Sequence, residues 1–263
     1  MSLGRSRIHL YRSLHHAPGR RETGLFLLEG PHLLREALQE NWRLKEVLFT
    51  HEFRENQPEG RTLPLILQQR QIPFDFCSES DLSRIADAKT PQGVTALAKL
   101  PDLPESLPSP SDDELLLLGE CISDPGNLGA VLRIADWFGL RRVILGADSA
   151  DPFAPKVVRS SAGAIFRVNI VSNVNLTEIV RQESAAGRFL AAATVAGTTL
   201  STHLPVKGRR GLVIGHEIRG VAPEIANLCS TTVRIPGRGR TESLNLAVAA
   251  GILLYELTSS GKM

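Results

Sequence analysis

The segment Ile235-Pro236-Gly237-Arg238-Gly239-Arg240-Thr241-Glu242-Ser243-Leu244-Asn245-Leu246 runs directly into Ala247-Val248-Ala249-Ala250-Gly251-Ile252-Leu253-Leu254-Tyr255-Glu256-Leu257. A basic, glycine-rich loop thus feeds a helix of small and aliphatic residues. Ser and Asn at a helix entrance cap exposed backbone N–H groups. A core helix has no need of Glu242, Ser243 and Asn245 crowded together there, so these groups mark a ligand site. Upstream, short apolar runs at residues 115–118, 143–145, 189–193, 212–214 and 232–235 alternate with helical patterns. That alternation predicts a parallel sheet covered by helices on both faces. Ligands bind such sheets beyond the carboxyl ends of their strands.

Two earlier strand ends share the character of the opening segment. Asp124-Pro125-Gly126-Asn127-Leu128-Gly129 leads into a helix whose buried stripe is Leu128, Val131, Leu132, Ala135 and Phe138. Asn127 is placed as its N-cap and Gly139 as its C′ residue, and Arg133 stands apart from the apolar stripe. Gly215-His216-Glu217-Ile218-Arg219-Gly220 follows the run at 212–214 directly. It reads either as an ordinary βα loop or as a close backbone approach to a ligand. His216 and Glu217 have no further His or Cys at zinc-ligand spacing. The glycines of 237–239 lack the early strand and third glycine of a dinucleotide fingerprint.

Four prolines between Leu100 and Asp113 predict an extended linker at 101–112. It divides the chain into residues 1–100 and 113–263. The first part reads as a small α/β unit with strands near 26–28, 46–49, 74–76 and 94–98. A helix at 32–38 carries the stripe Leu33, Leu34, Ala37 and Leu38, and a short helix is expected at 65–70. Arg5, Arg7, Arg12, Arg20 and Arg21, with three histidines and no acid, open the chain. This stretch is either a phosphate-contacting arm or a solvated terminus.

The 263 residues carry a net charge of +2 and a 42% hydrophobic composition, enough for one large or two smaller cores. Cys77, Cys121 and Cys229 are far apart and odd in number, which predicts reduced thiols in a cytoplasmic protein. No apolar run reaches the roughly 18–20 residues of a membrane span, and the start lacks the apolar core of a secretory signal.

Together, Asn127, Gly129, Arg133 and Ala135, then Gly215, Glu217 and Gly220, then Ile235, Pro236, Gly239, Glu242, Ser243, Leu244 and Asn245 resemble the three motifs of the SpoU (TrmH) branch of the SPOUT RNA methyltransferases. Arg159-Ser160-Ser161-Ala162-Gly163-Ala164 also resembles a family element. Residues 26–30 and 90–94 resemble pieces of the family's RNA-recognition extension, a ribosomal-protein-like α/β unit. His216 and Gly237 depart from the family's frequent Asn and Met. The resemblance implies a C-terminal α/β domain with a SPOUT-type parallel sheet and a trefoil knot, a homodimer, and S-adenosylmethionine as methyl donor without a metal. It implies transfer to a ribose 2′-hydroxyl of RNA, ribosomal RNA before tRNA. Asn127, Arg133, Glu217, Ser243 and Asn245 become the implied catalytic set, with Asn245 and Ser243 orienting Arg133. Thr194, Gly215, Ile235 and Leu244 would receive the donor. Arg159, Arg238 and Arg240 would meet phosphate, or serve only surface solubility. A tRNA ribose methyltransferase and a non-catalytic RNA-binding assembly factor are the alternatives.

Overall fold

The computed structural model describes residues 3–101, 113–200, 204–217 and 219–259; the expected linker, apart from Pro101, lies outside the described residues. In chain order the elements are α1 (Arg5–Ser13), α2 (Ala17–Thr23), β1 (Leu25–Glu29), α3 (Pro31–Gln39), β2 (Leu44–Thr50), α4 (His51–Asn56), α5 (Pro58–Gln69), β3 (Phe74–Cys77), α6 (Glu79–Ile85) and β4 (Val94–Lys99). They continue as β5 (Leu115–Gly119), α7 (Pro125–Trp137), β6 (Arg142–Gly146), α8 (Pro155–Ser161), β7 (Asn169–Val174), α9 (Leu176–Ala185), β8 (Phe189–Ala193), β9 (Thr199–Leu200), β10 (Arg210–Ile214), α10 (Pro223–Ala226), β11 (Thr231–Arg234) and α11 (Leu246–Ser259). Two compact units result. One comprises Met1–Asp102 with Phe153–Phe166, the other Leu103–Pro152 with Arg167–Met263.

In the first unit the strands form a sheet of order β1-β4-β2-β3, with β4 antiparallel to β1 and β2 and β3 parallel to β2. Leu25, Leu27, Leu48, Leu97 and Cys77 project to one face and pack with Ile8, Tyr11 and Leu14 from the N-terminal stretch. That stretch is therefore neither an arm nor an unstructured terminus from Leu3 onward. The apolar residues Ile8, Tyr11 and Leu14 recur every third position, and their burial fixes α1 on the sheet. Arg7 bridges Glu46 at 2.7 Å and Asp75 at 2.8 Å, and buried Arg20 donates to the Leu14 carbonyl. Arg5, Arg12 and Arg21 stay exposed. The helix expected at 65–70 begins earlier, at Pro58, because proline suits a first helical turn.

The segment Phe153–Phe166 joins this unit, with α8 packed on β1. Phe153 contacts Phe26 with ring centroids 5.0 Å apart, and Phe166 meets Trp42 at 5.2 Å. Gly163 adopts φ +94, and a Cβ there would lie 2.6 Å from Glu36 Cγ.

The second unit is built on a parallel sheet of order β7-β6-β5-β10-β8-β11-β9. Strands β5, β6 and β10 are buried throughout, the pattern of a sheet covered on both faces. Leu116, Leu118, Ile144, Leu190 and Val213 pack with Leu176 and Val180 of α9 and Ile225 of α10. Helix α11 packs on α7 and β10, and Gly251 sits against the Ile134 side chain. The polar edge strand β7 has no apolar run, which is why its sequence does not announce it. Burial pushes the Cys77 and Cys229 thiols up to about 11, as for inert buried cysteines.

An ion network closes the amino-terminal edge of this sheet. Glu114 accepts from Arg142 at 2.6 Å and from the fully buried Arg188 at 2.8 Å. Arg188 also donates to Glu183 and to the carbonyls of Glu114 and Arg210. Burial alone would raise the Glu114 carboxyl, but the two guanidinium bonds outweigh it and hold it below its ordinary 4.5. A carboxylate with a depressed folded pKa stabilises above its unfolded value, and that stability disappears as pH falls through the folded value. Arg188→Met is therefore expected to lower the unfolding free energy at pH 7 by roughly 3 kcal/mol. The gap from wild type should narrow as pH drops below 4.5. Urea unfolding at both pH values checks this; a gap that is constant with pH would show that the pairing is not its source.

Candidate active site

Strand order assembles the predicted residues. The neighbours β5, β10, β8 and β11 run parallel, so their carboxyl ends share one edge of the sheet. Asn127 follows β5, Gly215 and Glu217 follow β10, Thr194 follows β8 and Ile235 follows β11. Asn245 stands at the start of α11, the helix that packs on α7.

A hydrogen-bond chain links three of these segments. Asn127 Nδ2 donates to Glu217 Oε1 at 3.1 Å, and Asn245 Nδ2 donates to Asn127 Oδ1 at 2.9 Å. Asn245 Oδ1 in turn accepts the Ala247 and Val248 N–H groups at 2.9 and 3.3 Å. The polarity of the chain is set at both ends. A carboxylate only accepts and helix N–H groups only donate, so each amide between them has one orientation.

Asn127 is free to take part because it is not the N-cap. Asp124 caps α7, its Oδ1 accepting the Asn127 N–H at 2.8 Å, with Pro125 at the first helical position. The Asp-Pro pair carries that signal in sequence. Glu120, directly after β5, is unmarked by any sequence pattern. It accepts the Ala222 N–H at 2.8 Å and ties the loop after β10 to the sheet. Burial pushes its carboxyl up, Glu224 adds to this, and the Ala222 bond opposes both.

The backbone around the residues expected to receive the donor is tight. A Cβ on Gly215 would lie 2.2 Å from the Gly220 carbonyl, and His216 and Gly220 exchange N–H···O bonds of 3.1 and 2.8 Å. Gly220 turns at φ +69. A Cβ on Gly197 would lie 2.4 Å from the Val233 carbonyl carbon, and Thr194 N–H donates to Val233 O at 2.9 Å. Glycine at 215 and 197 is what lets these loop backbones pack so closely on their neighbours. Ile235 is half-buried and Leu244 exposed.

Arg133, Ser243, Arg238 and Arg240 are exposed and make no hydrogen bond or ion pair among the described residues. Asn245 thus orients Asn127 and not Arg133, because the Glu217 carboxylate has already dictated where the Asn245 N–H points. Arg159 lies in the first unit, where Glu29 and Asp87 hold its guanidinium. Its guanidinium is engaged by two carboxylates, unlike those of Arg238 and Arg240. Among the described residues no group of three or more His, Cys, Asp or Glu is placed to hold a metal, and no helix is long and apolar enough to cross a membrane.

A parallel sheet with this carboxyl-edge site, in a chain that also carries a separate α/β unit, is the architecture of SPOUT methyltransferases. The SpoU rRNA Methylase family matches residues 114–255, and the MRM3-like substrate binding domain matches residues 5–96. The Bacillus subtilis 23S rRNA (guanosine(2553)-2′-O)-methyltransferase RlmP is 34% identical over 252 residues, 94% of each chain. The AdoMet-bound rRNA methyltransferase of Sinorhizobium meliloti is 29% identical, with a TM-score of 0.85 over 98% of this chain and 95% of that one. The SpoU methyltransferase AviRb of Streptomyces viridochromogenes, in complex with AdoMet, is 27% identical, with a TM-score of 0.83 over 97% of each. This chain belongs to the SpoU rRNA methylase family. It is an RNA methyltransferase that uses S-adenosylmethionine.

The amide chain makes a separable prediction. Asn245→Asp keeps the cap on α11 but places a second acceptor against Asn127, so its stability should stay within about 0.5 kcal/mol of wild type while methyl transfer falls. Asn245→Ala loses cap and donor together and should also cost about 1 kcal/mol. Thermal unfolding and initial rates on both variants decide; full activity in Asn245→Asp would show that the polarity of the chain is irrelevant to the reaction.

Proposed function

We propose that this enzyme methylates a guanosine ribose 2′-hydroxyl of 23S rRNA. The reading is carried by the amide chain from Asn245 through Asn127 to Glu217, which binds three loops into one preorganised polar edge. Support for the RNA class comes from the match to the Bacillus subtilis relative over both units, the substrate-binding unit included.

In the reaction the 2′-oxygen forms a bond to the methyl carbon as the methyl–sulfur bond breaks, leaving S-adenosylhomocysteine, and the hydroxyl proton passes to solvent. S-adenosylmethionine supplies an already activated methyl group. The residues contribute alignment and charge placement. Gly215, Thr194, Ile235 and Leu244 bring backbone groups to the donor. Asn127 and Glu217 fix the rim of the site, and Ser243 offers an uncommitted hydroxyl. Arg133 presents an unpaired guanidinium to the 2′-oxygen and the adjoining phosphate. Guanidinium does not give up its proton in proteins, so its part is positioning and stabilisation of the charge that develops on oxygen. Arg238 and Arg240 take phosphates of the strand, fixing register without reading sequence.

The working form is a homodimer in the cytoplasm. Trp137 on α7 is 84% exposed, and Val248 and Tyr255, two turns apart on α11, are 51% and 57% exposed. Because α7 and α11 pack together, these side chains lie on adjoining helices that a second copy of the chain would cover. The small residues that admit α11 against α7 also suit a threaded C-terminal knot.

Incubation with S-adenosylmethionine and unmodified 23S rRNA, then nucleoside mass spectrometry, should yield 2′-O-methylguanosine. A methylated base, or product from tRNA transcripts alone, would overturn this reading. Arg133→Lys keeps the charge but loses the planar fork and should lower kcat at least tenfold, measured at saturating donor; a wild-type rate would remove the fork from the mechanism. Tyr255→Asp should convert a dimer to monomer in sedimentation velocity. A monomeric wild-type protein would sink the dimer.

A further inference from the structure

The sequence pieces 26–30 and 90–94 meet in the first unit around a cavity of about 330 Å³. Neither takes part in the reaction as described above. The cavity opens where β1 ends and the loop before β4 begins. Leu33, Leu82, Pro91 and Val94 give it apolar walls, and Thr90 and Gln92 give it polar edges.

The two pieces are shaped for this hollow. Gly30 adopts φ +95, and a Cβ on it would lie 2.5 Å from Gln92 Oε1. Only glycine lets the Gln92 side chain lie across β1's exit. The loop is pinned by Glu29, whose Oε1 accepts the Asp87 and Ala88 N–H groups at 2.9 and 3.0 Å. Arg159 braces the same carboxylate and Asp87. The cavity is thus preformed, and its ionised groups are spent on holding the rim. The Gln92 carboxamide and Thr90 hydroxyl are exposed and make no hydrogen bond among the described residues. An apolar slot with an uncommitted amide at its edge has the chemistry to take a nucleobase, stacked or wedged within and hydrogen-bonded along its edge. The volume lies at the low end of small-ligand pockets, roughly 300–1,000 Å³, and admits one nucleoside and no run of strand. Lys89 beside the rim is an exposed cation for a flanking phosphate.

We propose that this cavity receives one unstacked base of the RNA substrate and so contributes to the choice of target. The inference rests on the RNA reading given under Proposed function. Ala88→Trp fills the cavity while leaving the backbone bond to Glu29 in place, and Gln92→Ala removes the edge amide. The probe is a 23S rRNA fragment centred on the position that the Bacillus subtilis relative modifies, with single abasic substitutions scanned along it. For wild type, one abasic position away from the methylated nucleotide should weaken binding about tenfold, the scale of one lost base contact. In Ala88→Trp, binding should be weaker by a similar factor and insensitive to that position, while donor affinity by calorimetry stays unchanged. Gln92→Ala, which touches no core group, should shift the same position and carries the test should the tryptophan variant misfold. Wild-type RNA affinity in both variants, or an abasic effect that persists in a folded Ala88→Trp, would overturn the pocket alone. Failure of the wild-type protein to bind any RNA would overturn the functional reading with it.

Discussion

Strand β10 is the constraint on which the second unit depends. It pairs in parallel with β5 on one side and β8 on the other, with Ile214 opposite Gly119 and Val213 opposite Ala192. Every residue in it is buried, and a Cβ on Gly211 would lie 2.7 Å from Leu190 Cδ2, so the strand packs closely against β8. Parallel bonding makes the three strands end together, and the Glu120 N–H extends the ladder by donating to the Ile214 carbonyl at 2.8 Å. A slip of one residue would turn Val213 out of its core face and carry Glu217 about 3.3 Å along the sheet. The Asn127 amide could no longer reach it, and the chain of amides back to α11 would lose its terminus.

Arginine has two distinct uses along that sheet. At the amino edge, Arg142, Arg188 and Arg210 are buried and their guanidinium groups are spent on carboxylates and carbonyls. Removing a partner there would leave charge uncompensated in a poorly solvated place. Arg133, Arg238 and Arg240 follow a different rule: they are exposed and without a bonding partner among the described residues. A net charge of +2 hides this division, because the saturated arginines cancel against their own acids and the uncommitted ones face outward.

The alternation of apolar runs was enough to foresee the parallel sheet, since strands buried on both faces have no polar positions to blur the pattern. The site motifs were legible for a related reason: glycines, amides and acids at strand exits have no packing role to disguise them. What escaped was set by long-range contacts. Glu120 acts on Ala222, far along the chain, and nothing local distinguishes it from a surface acid. The N-terminal arginines read as an arm or a solvated terminus because basic side chains dominate that stretch, and only the sheet beneath shows that Ile8, Tyr11 and Leu14 form a single face. Asn127 looked like a cap because asparagine often is one, and Asp124 three residues earlier won that place through Pro125. The carboxylates that hold Arg159, Glu29 and Asp87, lie 130 and 72 residues away in sequence, so that pairing has no local signal.

The membership of Phe153–Phe166 in the first unit has a consequence for how the polypeptide is made. The chain leaves that unit after Asp102, returns to it at Phe153 and leaves again after Phe166. Strand β1 therefore waits for a helix encoded beyond β5, α7 and β6. During synthesis the amino-terminal unit is unfinished until residue 166 has emerged, so the two units mature as interdependent parts and not one after the other. A protease cut between residues 102 and 113 would not give two independent products, because the carboxyl-terminal fragment would keep a piece of the first unit.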